Sequence, residues 1–111
     1  MEAKAIAKGL RVSPYRARLI ATLIRGKKVD EALSILDNVN SKASRMTKKV
    51  LDSAIANAVN NEKADANTLY IKEARVDAGS VMKRHMIDSR SRIGHNDHRT
   101  SHIIIVVATK N

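Results

Sequence analysis

Five consecutive β-branched residues near the end of this 111-residue chain constrain its fold more than any other feature. The run Ile103–Val107 is apolar on both faces of an extended backbone, so we expect it to form a buried strand of a sheet. A helix that crosses a bilayer needs about 20 apolar residues, and this run continues only to Ala108. The sequence therefore predicts a sheet strand and no membrane partner.

Strand-like spacing appears in two further segments. Loose alternation predicts a first strand over 2–10, and β-branched alternation predicts another over 69–77. The Gly79-Ser80 pair after the second of these is typical of a bulge. Residues 82–98 lack a core-forming pattern and lie between strands, so we expect them to form an extended hairpin.

Helix signals surround three segments. Ser13-Pro14 is typical of a helix start, because serine accepts hydrogen bonds from the first-turn N–H groups and proline has the required φ. Gly26 is typical of the left-handed residue that ends a helix. The face of this helix that we expect to be buried consists of Leu19, Ile20, Leu23 and Ile24.

Two more helices are predicted from spacing, one from Val29 to about Asn38 and one that Ser41 caps and Asn60-Asn61 ends. Together with the strand segments, these signals predict three helices, three strands and one extended hairpin. Residues 1–111 are expected to form a single domain, with 82–98 as the hairpin.

The charge balance indicates a polyanionic partner. Lysine and arginine number 21 against 11 acidic residues, a net charge of +10, and self-repulsion disfavours such an excess in a small domain without a partner. Tyr15 and Tyr70 are the only aromatic residues, which argues against domains that stack single-stranded bases. We therefore expect nucleic acid bound through phosphates, sugars and shape.

Two cationic patches fall on predicted helices. On the first helix, Arg18, Thr22 and Arg25 project away from the apolar face, and no carboxylate occurs between Lys4 and Lys28. This pattern favours a phosphate-binding stripe over an ordinary solvated face, which usually carries both signs. The third helix carries the second patch, in which Lys48 is spaced to pair with Asp52. Its members are Lys42, Arg45, Lys48 and Lys49.

No motif for catalysis or for a cofactor is present. Cysteine is absent and the four glycines are scattered, which excludes thiol nucleophiles and a glycine-rich phosphate loop. A metal-dependent nuclease using His95, Asp97 and His98, with His85 and His102 nearby, is an alternative without a recognised ligand spacing. A free-standing basic chaperone for RNA or DNA is the other alternative.

Four blocks in order resemble the large-subunit ribosomal protein twenty-two family over nearly the whole chain. The first runs from Ser13-Pro14 through Arg18-Leu19-Ile20-Ala21 to Arg25-Gly26-Lys27. The others are Val50-Leu51-x-Ser53-Ala54-Ile55-Ala56-Asn57-Ala58, Met82-Lys83-Arg84 and Arg99-Thr100-Ser101-His102-Ile103.

The resemblance implies an α+β fold, with three helices packed on a small antiparallel sheet and one long protruding β-hairpin. It also implies a structural, non-enzymatic protein of the ribosome in the cytoplasm. Its expected partners are large-subunit rRNA, bound during assembly, neighbouring large-subunit proteins, and the nascent polypeptide in the exit tunnel that the hairpin lines. The residues that it places in contact with RNA are Arg18, Arg25, Lys27, Lys83, Arg84, Arg99, Thr100, Ser101 and His102. Ser13, Arg16, Lys28 and Lys49 are further RNA-binding candidates of this sequence. The tunnel-facing tip is Arg90, Ser91, Arg92 and Ile93.

The hairpin departs from the family pattern. Ile87 and Asp88 stand where the family has Pro and Arg, and Ser91 replaces a glycine. His95, Asp97 and His98 occupy a stretch that is rich in Arg and Lys in the family. We therefore expect a hairpin several charges less basic than is usual.

Overall fold

The boundaries between helices and strands lie where the spacing of hydrophobic residues along the sequence changes. The computed structural model describes residues 1–88 and 92–109, and it describes side chains through residue 79 and again from residue 100 to 109. The elements in chain order are β1 (Glu2–Leu10), α1 (Pro14–Ile24), α2 (Val29–Asn38), α3 (Lys42–Asn61), a short 3-10 helix (Ala66–Thr68), β2 (Leu69–Asp88) and β3 (Arg92–Thr109).

The β-branched run forms a strand, as predicted, and the structure places it at the centre of the sheet. The three strands are antiparallel in the order β1-β3-β2, and Ile105 pairs with Ala5 on one side and with Ala74 on the other. The backbone pairing of β2 with β3 continues beyond the three-stranded part of the sheet, as far as the pair of Asp88 and Arg92. The molecule measures 63 × 26 × 17 Å along its principal axes, so the predicted α+β fold with a long hairpin is confirmed.

Gly79 lies where the hairpin leaves the sheet. The register of β2 against β3 shifts between Ala78 and Val81, which confirms the predicted bulge. A Cβ atom added to Gly79 would overlap the Thr100 Oγ1 atom and lie 3.2 Å from His102 Cε1. The residue is glycine here because the facing strand approaches too closely for a side chain.

The helices cover one face of the sheet. Ile103, Ile105 and Val107 point into the core and are at most 1% exposed, and Ile24 of α1 and Leu51 of α3 are fully buried with them. The alternate residues of β3 lie on the other face. Glu2 of β1 and Lys72 of β2 form an ion pair from the two strands that flank β3 there.

This ion pair predicts a stability change in acid. The hydrogen bond and charge of Lys72 hold the pKa of the Glu2 carboxyl below its ordinary value of 4.5. Because the folded-state pKa is lowered, the contribution is complete above the unfolded-state pKa and is lost as the pH falls through the folded one. We expect Glu2→Gln to reduce the loss of stability in acid by a small amount, since exposed pairs contribute little.

Urea unfolding midpoints measured from about pH 6 to pH 3 check this expectation. Glu31→Gln is the matched control, because Glu31 is exposed on α2 and forms no ion pair within the described part of the chain. An identical acid response in the two variants would contradict a role for the Glu2–Lys72 pair.

The buried face of α1 differs from the predicted one. Leu19 and Leu23 are 53% and 46% exposed, and the prediction that they are buried is wrong. Ile20 and Ile24 are buried, as expected, and the remaining buried positions of the helix are Pro14, Ala17 and Ala21. The small alanines let the helix backbone lie close to the sheet, which a face of larger leucines would prevent.

The ends of the three helices lie where predicted, with one difference in capping. Gly26 has a left-handed φ of 78° and follows the end of α1, and the Ser41 side chain accepts a hydrogen bond from the Ser44 N–H. Ser13 occupies the N-cap position of α1, but its side chain forms no capping hydrogen bond. The expectation that Ser13 caps the helix through its hydroxyl is therefore wrong.

One ion pair predicted within α3 is replaced by a pair between helices. Lys48 binds Asp37 at the end of α2 instead of Asp52 one turn away on its own helix. This contact raises the pKa of the Lys48 ammonium, through the hydrogen bond first and then the charge of Asp37. The packing of α2 against α3 brings the two residues together, and a sequence pattern within one helix cannot reveal that contact.

Candidate nucleic-acid interface

Two arginines of α1 lie along the open edge of the sheet. Arg25 donates from Nε and Nη2 to the Ala74 carbonyl at 3.3 and 2.7 Å, and Arg18 donates from Nε to the Val76 carbonyl at 3.3 Å. β2 is an edge strand, so these carbonyls have no partner strand on that side. The two arginines therefore cover the edge and are held in place by it.

These bonds leave most of the guanidinium donors available. A guanidinium carries five N–H donors, and both side chains are exposed. Arg18 uses one of its nitrogens and Arg25 uses two in the bonds to β2. Because these bonds fix the position of each guanidinium, less side-chain entropy is lost when a phosphate binds to the remaining donors.

Lys27 and Lys28 extend this edge. The Gly26 N–H donates to the Ile71 carbonyl at 3.1 Å, and the Ile71 N–H donates to the Lys27 carbonyl at 2.8 Å. Lys28 forms an isolated bridge with Tyr70. Along β2 from Tyr70 to Val76, the order of the adjoining cations is thus Lys28, Lys27, Arg25 and Arg18; we name these four residues the β2-edge row. Seven strand residues span about 20 Å.

Ion pairing neutralises three of the cations whose side chains the structure describes. The acid-paired cations of the described residues are Lys48, Lys72 and Arg75, the last between Glu73 and Asp77. None of the three was predicted to bind RNA. Within the same residues, the β2-edge row, Arg16 and Lys49 have no carboxylate partner. The row is therefore a surface whose charge the protein itself does not neutralise.

The structure does not bring all predicted cations together. Arg16 and Ser13 lie at the opposite end of α1 from Arg25. Lys49 lines a groove between α3 and β1 with Ile6 and Met46, and β1 forms the other edge of the sheet. Any contact of Lys49 with RNA would involve a different side of the molecule from the β2-edge row.

The predicted residues at the base of the hairpin have structural contacts. Thr100 is 7% exposed and Ser101 is fully buried. The Ser101 hydroxyl donates to the Val12 carbonyl at 2.6 Å, and Nδ1 of the half-buried His102 accepts from the Gly9 N–H at 3.0 Å. These bonds join the end of β1 and the following loop to the hairpin base, and the buried Ser101 side chain is unavailable for RNA.

Ser101→Ala is expected to lower stability without altering RNA binding electrostatics. The substitution leaves the buried Val12 carbonyl without its donor, which costs about 1–3 kcal/mol. Urea unfolding measures the stability, and the salt dependence of RNA binding at low temperature measures the phosphate contacts. A changed salt dependence with unchanged stability would contradict this assignment and return Ser101 to the RNA contacts.

The remaining predicted residues lie in the hairpin. Lys83, Arg84, Arg92, Ile93 and Arg99 occupy strand positions of the hairpin, where Lys83 pairs with Asp97 and Arg84 with Asn96 through the backbone. Their side chains are outside the described part, and Arg90 and Ser91 lie outside the described residues altogether. Their roles stay predictions.

Two cations that the sequence analysis did not select lie beside Ser13 and Arg16. Arg11 and Lys42 line a groove between the first turns of α1 and α3. Arg11 belongs to the acid-free segment between Lys4 and Lys28, which was a usable signal. Lys42 was noted only as part of a helical patch, because its closeness to α1 depends on tertiary packing.

The described residues do not support a metal site or a membrane-spanning helix. Among them, no group of three or more histidine or acidic residues is arranged to hold a metal ion. The side chains of His95, Asp97 and His98 lie outside this set, so the nuclease hypothesis is not tested by it. No helix of the described chain has the length and apolar character needed to cross a membrane.

Comparisons with known proteins match the chain over nearly its whole length. The family model described as Ribosomal protein L22p/L17e covers residues 5–108. Large ribosomal subunit protein uL22 of Halothermothrix orenii is 50% identical over 110 residues, which cover 99% of this chain and 97% of that protein. The proteins of the same name from Carboxydothermus hydrogenoformans and Oceanobacillus iheyensis are 49% and 46% identical with the same coverage. The chain therefore belongs to the Ribosomal protein L22p/L17e family.

Proposed function

We propose that the protein is a structural constituent of the large ribosomal subunit, without catalytic activity, whose single domain binds large-subunit rRNA. The observation that carries the proposal is the β2-edge row: four adjoining cations, unpaired with acids in the described chain, held along one strand edge. Similar relatives are named as proteins of the large ribosomal subunit, which supports rRNA as the polyanion and the cytoplasmic ribosome as the location.

Binding through this row is expected to depend on phosphates more than on bases. Arg18 and Arg25 offer planar guanidinium groups that suit two oxygens of one phosphate, whereas Lys27 and Lys28 act as point charges. Each phosphate contact releases counterions, so the affinity falls as salt rises. RNA bound here would also neutralise part of the net charge of +10, which favours the folded protein within the assembly.

The hairpin is proposed to reach into the ribosome and line the polypeptide exit tunnel. Two strands paired as far as Asp88 and Arg92 are marginal in water without a surrounding structure, and this supports embedding in a larger assembly. By the family resemblance, Lys83, Arg84 and Arg99 contact rRNA along the legs. Arg90, Ser91, Arg92 and Ile93 would form the tip that faces the nascent polypeptide, and neighbouring ribosomal proteins would complete the surroundings.

Sedimentation of a native lysate through a high-salt sucrose gradient tests the proposed function. The protein, followed by quantitative mass spectrometry, is expected to migrate with the large subunit at one copy per particle. Release to the top of the gradient would contradict an integral role and would support the free-standing RNA or DNA chaperone instead.

A further inference from the structure

A second cationic feature, on residues other than the β2-edge row, lies at the N-terminal end of α1. The first turns of α1 and α3 and the chain after α2 enclose a groove of about 640 Å³. Pockets of roughly 300–1,000 Å³ hold small ligands or single groups of larger ones. We call this feature the α1–α3 groove.

The charged groups that line the α1–α3 groove are all cationic. Arg11, Arg16 and Lys42 line it, and no carboxylate does. All three are exposed, and within the described residues none of them forms an ion pair. Three unneutralised cations around one groove favour an anionic group as occupant.

The walls of the same groove are apolar. Val12 and Ile20 are buried beneath it, Val39 is half-buried, and Leu19 is 53% exposed at its side. An occupant that matches both features has an anionic group joined to a flat or compact body that gains by leaving water. A nucleotide has both parts, since the phosphate is anionic and the base has an apolar face.

The uncapped start of α1 adds to the attraction for a phosphate. Ser13 makes no side-chain capping bond. Its hydroxyl therefore does not accept a hydrogen bond from the Tyr15 or Arg16 N–H group in the first turn of the helix. The positive end of the helix dipole lies at the same place. This contribution supplements the three side-chain cations and does not replace them.

From these observations we propose that an unpaired nucleotide of the bound RNA inserts its base into the α1–α3 groove. Its phosphates lie against Arg11, Arg16 and Lys42, and its base packs against Leu19 and Val39. The proposal rests on the proposed function, because the RNA strand is the one that also follows the β2-edge row. The groove lies at the N-terminal end of α1, and the row begins with Arg18 within the helix and continues past its last residue to Arg25, Lys27 and Lys28. The 11 helical residues extend about 16 Å, a distance that a few nucleotides span.

The groove predicts preference for an unpaired nucleotide and little preference among the four bases. A base within a duplex cannot leave its stack without an energy cost of a few kcal/mol. The groove lining holds no aromatic side chain, so the base is held by apolar contact and not by stacking on a ring. This distinguishes the groove from an aromatic single-strand reader.

Photo-crosslinking in assembled subunits tests the proposal. The probe is p-benzoylphenylalanine in place of Leu19, and the matched control carries it in place of Leu23. Both leucines are about half exposed on α1, but only Leu19 lines the groove. Large subunits are purified from cells that make only the probe-bearing protein, irradiated, and mapped by reverse transcription.

The Leu19 probe is expected to stop reverse transcription at one unpaired rRNA nucleotide, at which the Leu23 probe gives no stop. Chemical probing of that base should show protection in native subunits and at least a several-fold gain in reactivity with Arg16→Gln/Lys42→Gln. Crosslinking of the Leu19 probe to a protein, to a base-paired nucleotide or to nothing would overturn the proposal. If the probe-bearing protein still sediments with the large subunit, only the groove proposal fails; if the native protein does not sediment with it, the proposed function fails as well.

Discussion

Neutralising the β2-edge row is expected to weaken rRNA binding by roughly a hundredfold or more and to lower the salt slope by about 3–4 units. The variant carries Arg18→Gln, Arg25→Gln, Lys27→Gln and Lys28→Gln. Each of these cations lacks an acidic partner in the described chain, so each is available to displace counterions from a phosphate. Filter binding of large-subunit rRNA, measured over a range of salt concentrations, gives the slope directly.

A control variant with the same change in net charge separates the row from overall charge. Lys48, Lys72 and Arg75 are paired with acids, and Arg45 is hydrogen-bonded to Asn40; all four become glutamine. Acids already neutralise three of these cations and only the charge of Arg45 is free of an acidic partner in the described chain. The salt slope should therefore change by no more than about one unit. Equal losses in the two quadruple variants would show that net charge alone governs binding, and the row would lose its special role.

Substituting the two lysines and the two arginines of the row separately tests whether the arginines both bind RNA and stabilise the fold. Lys27→Gln/Lys28→Gln should change binding alone, because these residues adjoin β2 through their backbones. Arg18→Gln/Arg25→Gln should also lower stability, since the side chains cover the Ala74 and Val76 carbonyls. Thermal unfolding of the two double variants measures this difference, and a stability loss in the lysine pair as large as in the arginine pair would contradict it.

Much of the site was predictable because net charge and acid-free segments are properties of the chain itself. The absence of carboxylates between Lys4 and Lys28 identified the cations of α1 and the loop after it. The sequence does not show in the same way which cations are neutralised by acidic partners and therefore contribute little to RNA binding. The partners of Lys48 and Lys72 are 11 and 70 residues away, so only the folded chain shows that these charges are neutralised internally.

The assignment of Ser101 illustrates a second limit. Its block was associated with RNA by resemblance, and a serine beside Arg99 and His102 is a reasonable hydrogen-bond donor to phosphate. In the structure the side chain alternates inward at that point of β3 and meets the Val12 carbonyl. The alternation of a strand predicts two faces, but the register shifts between Ala78 and Val81 and between Ala7 and Leu10 decide which groups those faces meet.

The observed buried face of α1 is rotated by about 90° from the predicted one. Residue type led to the difference: leucine is the more hydrophobic choice, so Leu19 and Leu23 were placed in the core and Ala17 and Ala21 were not. Close packing of a helix against a sheet selects for size as well as hydrophobicity. Alanine at the contact points permits the approach, and the leucines remain at the surface, where one of them lines the α1–α3 groove.

Adjacent substitutions in α1 distinguish the two faces by stability. Ile24 is fully buried between α1 and the sheet, whereas its neighbour Leu23 is 46% exposed. Ile24→Ala removes buried methyl and methylene groups and leaves a cavity, so we expect a loss of about 2–5 kcal/mol in the free energy of unfolding. Leu23→Ala should cost less than about 1 kcal/mol, because much of that side chain is already in water.

Urea denaturation of the full chain at moderate salt measures both losses, with the m-value as a check that each variant unfolds in one step. Alanine is the replacement in both variants and favours helix, so helix propensity does not explain a difference between them. Similar losses at the two positions would mean that α1 is rotated from the observed orientation toward the predicted one. That rotation would also move Leu19 out of the groove and Arg18 and Arg25 away from the β2 carbonyls. The stability of these two variants therefore tests the orientation of α1, on which both RNA-binding surfaces depend.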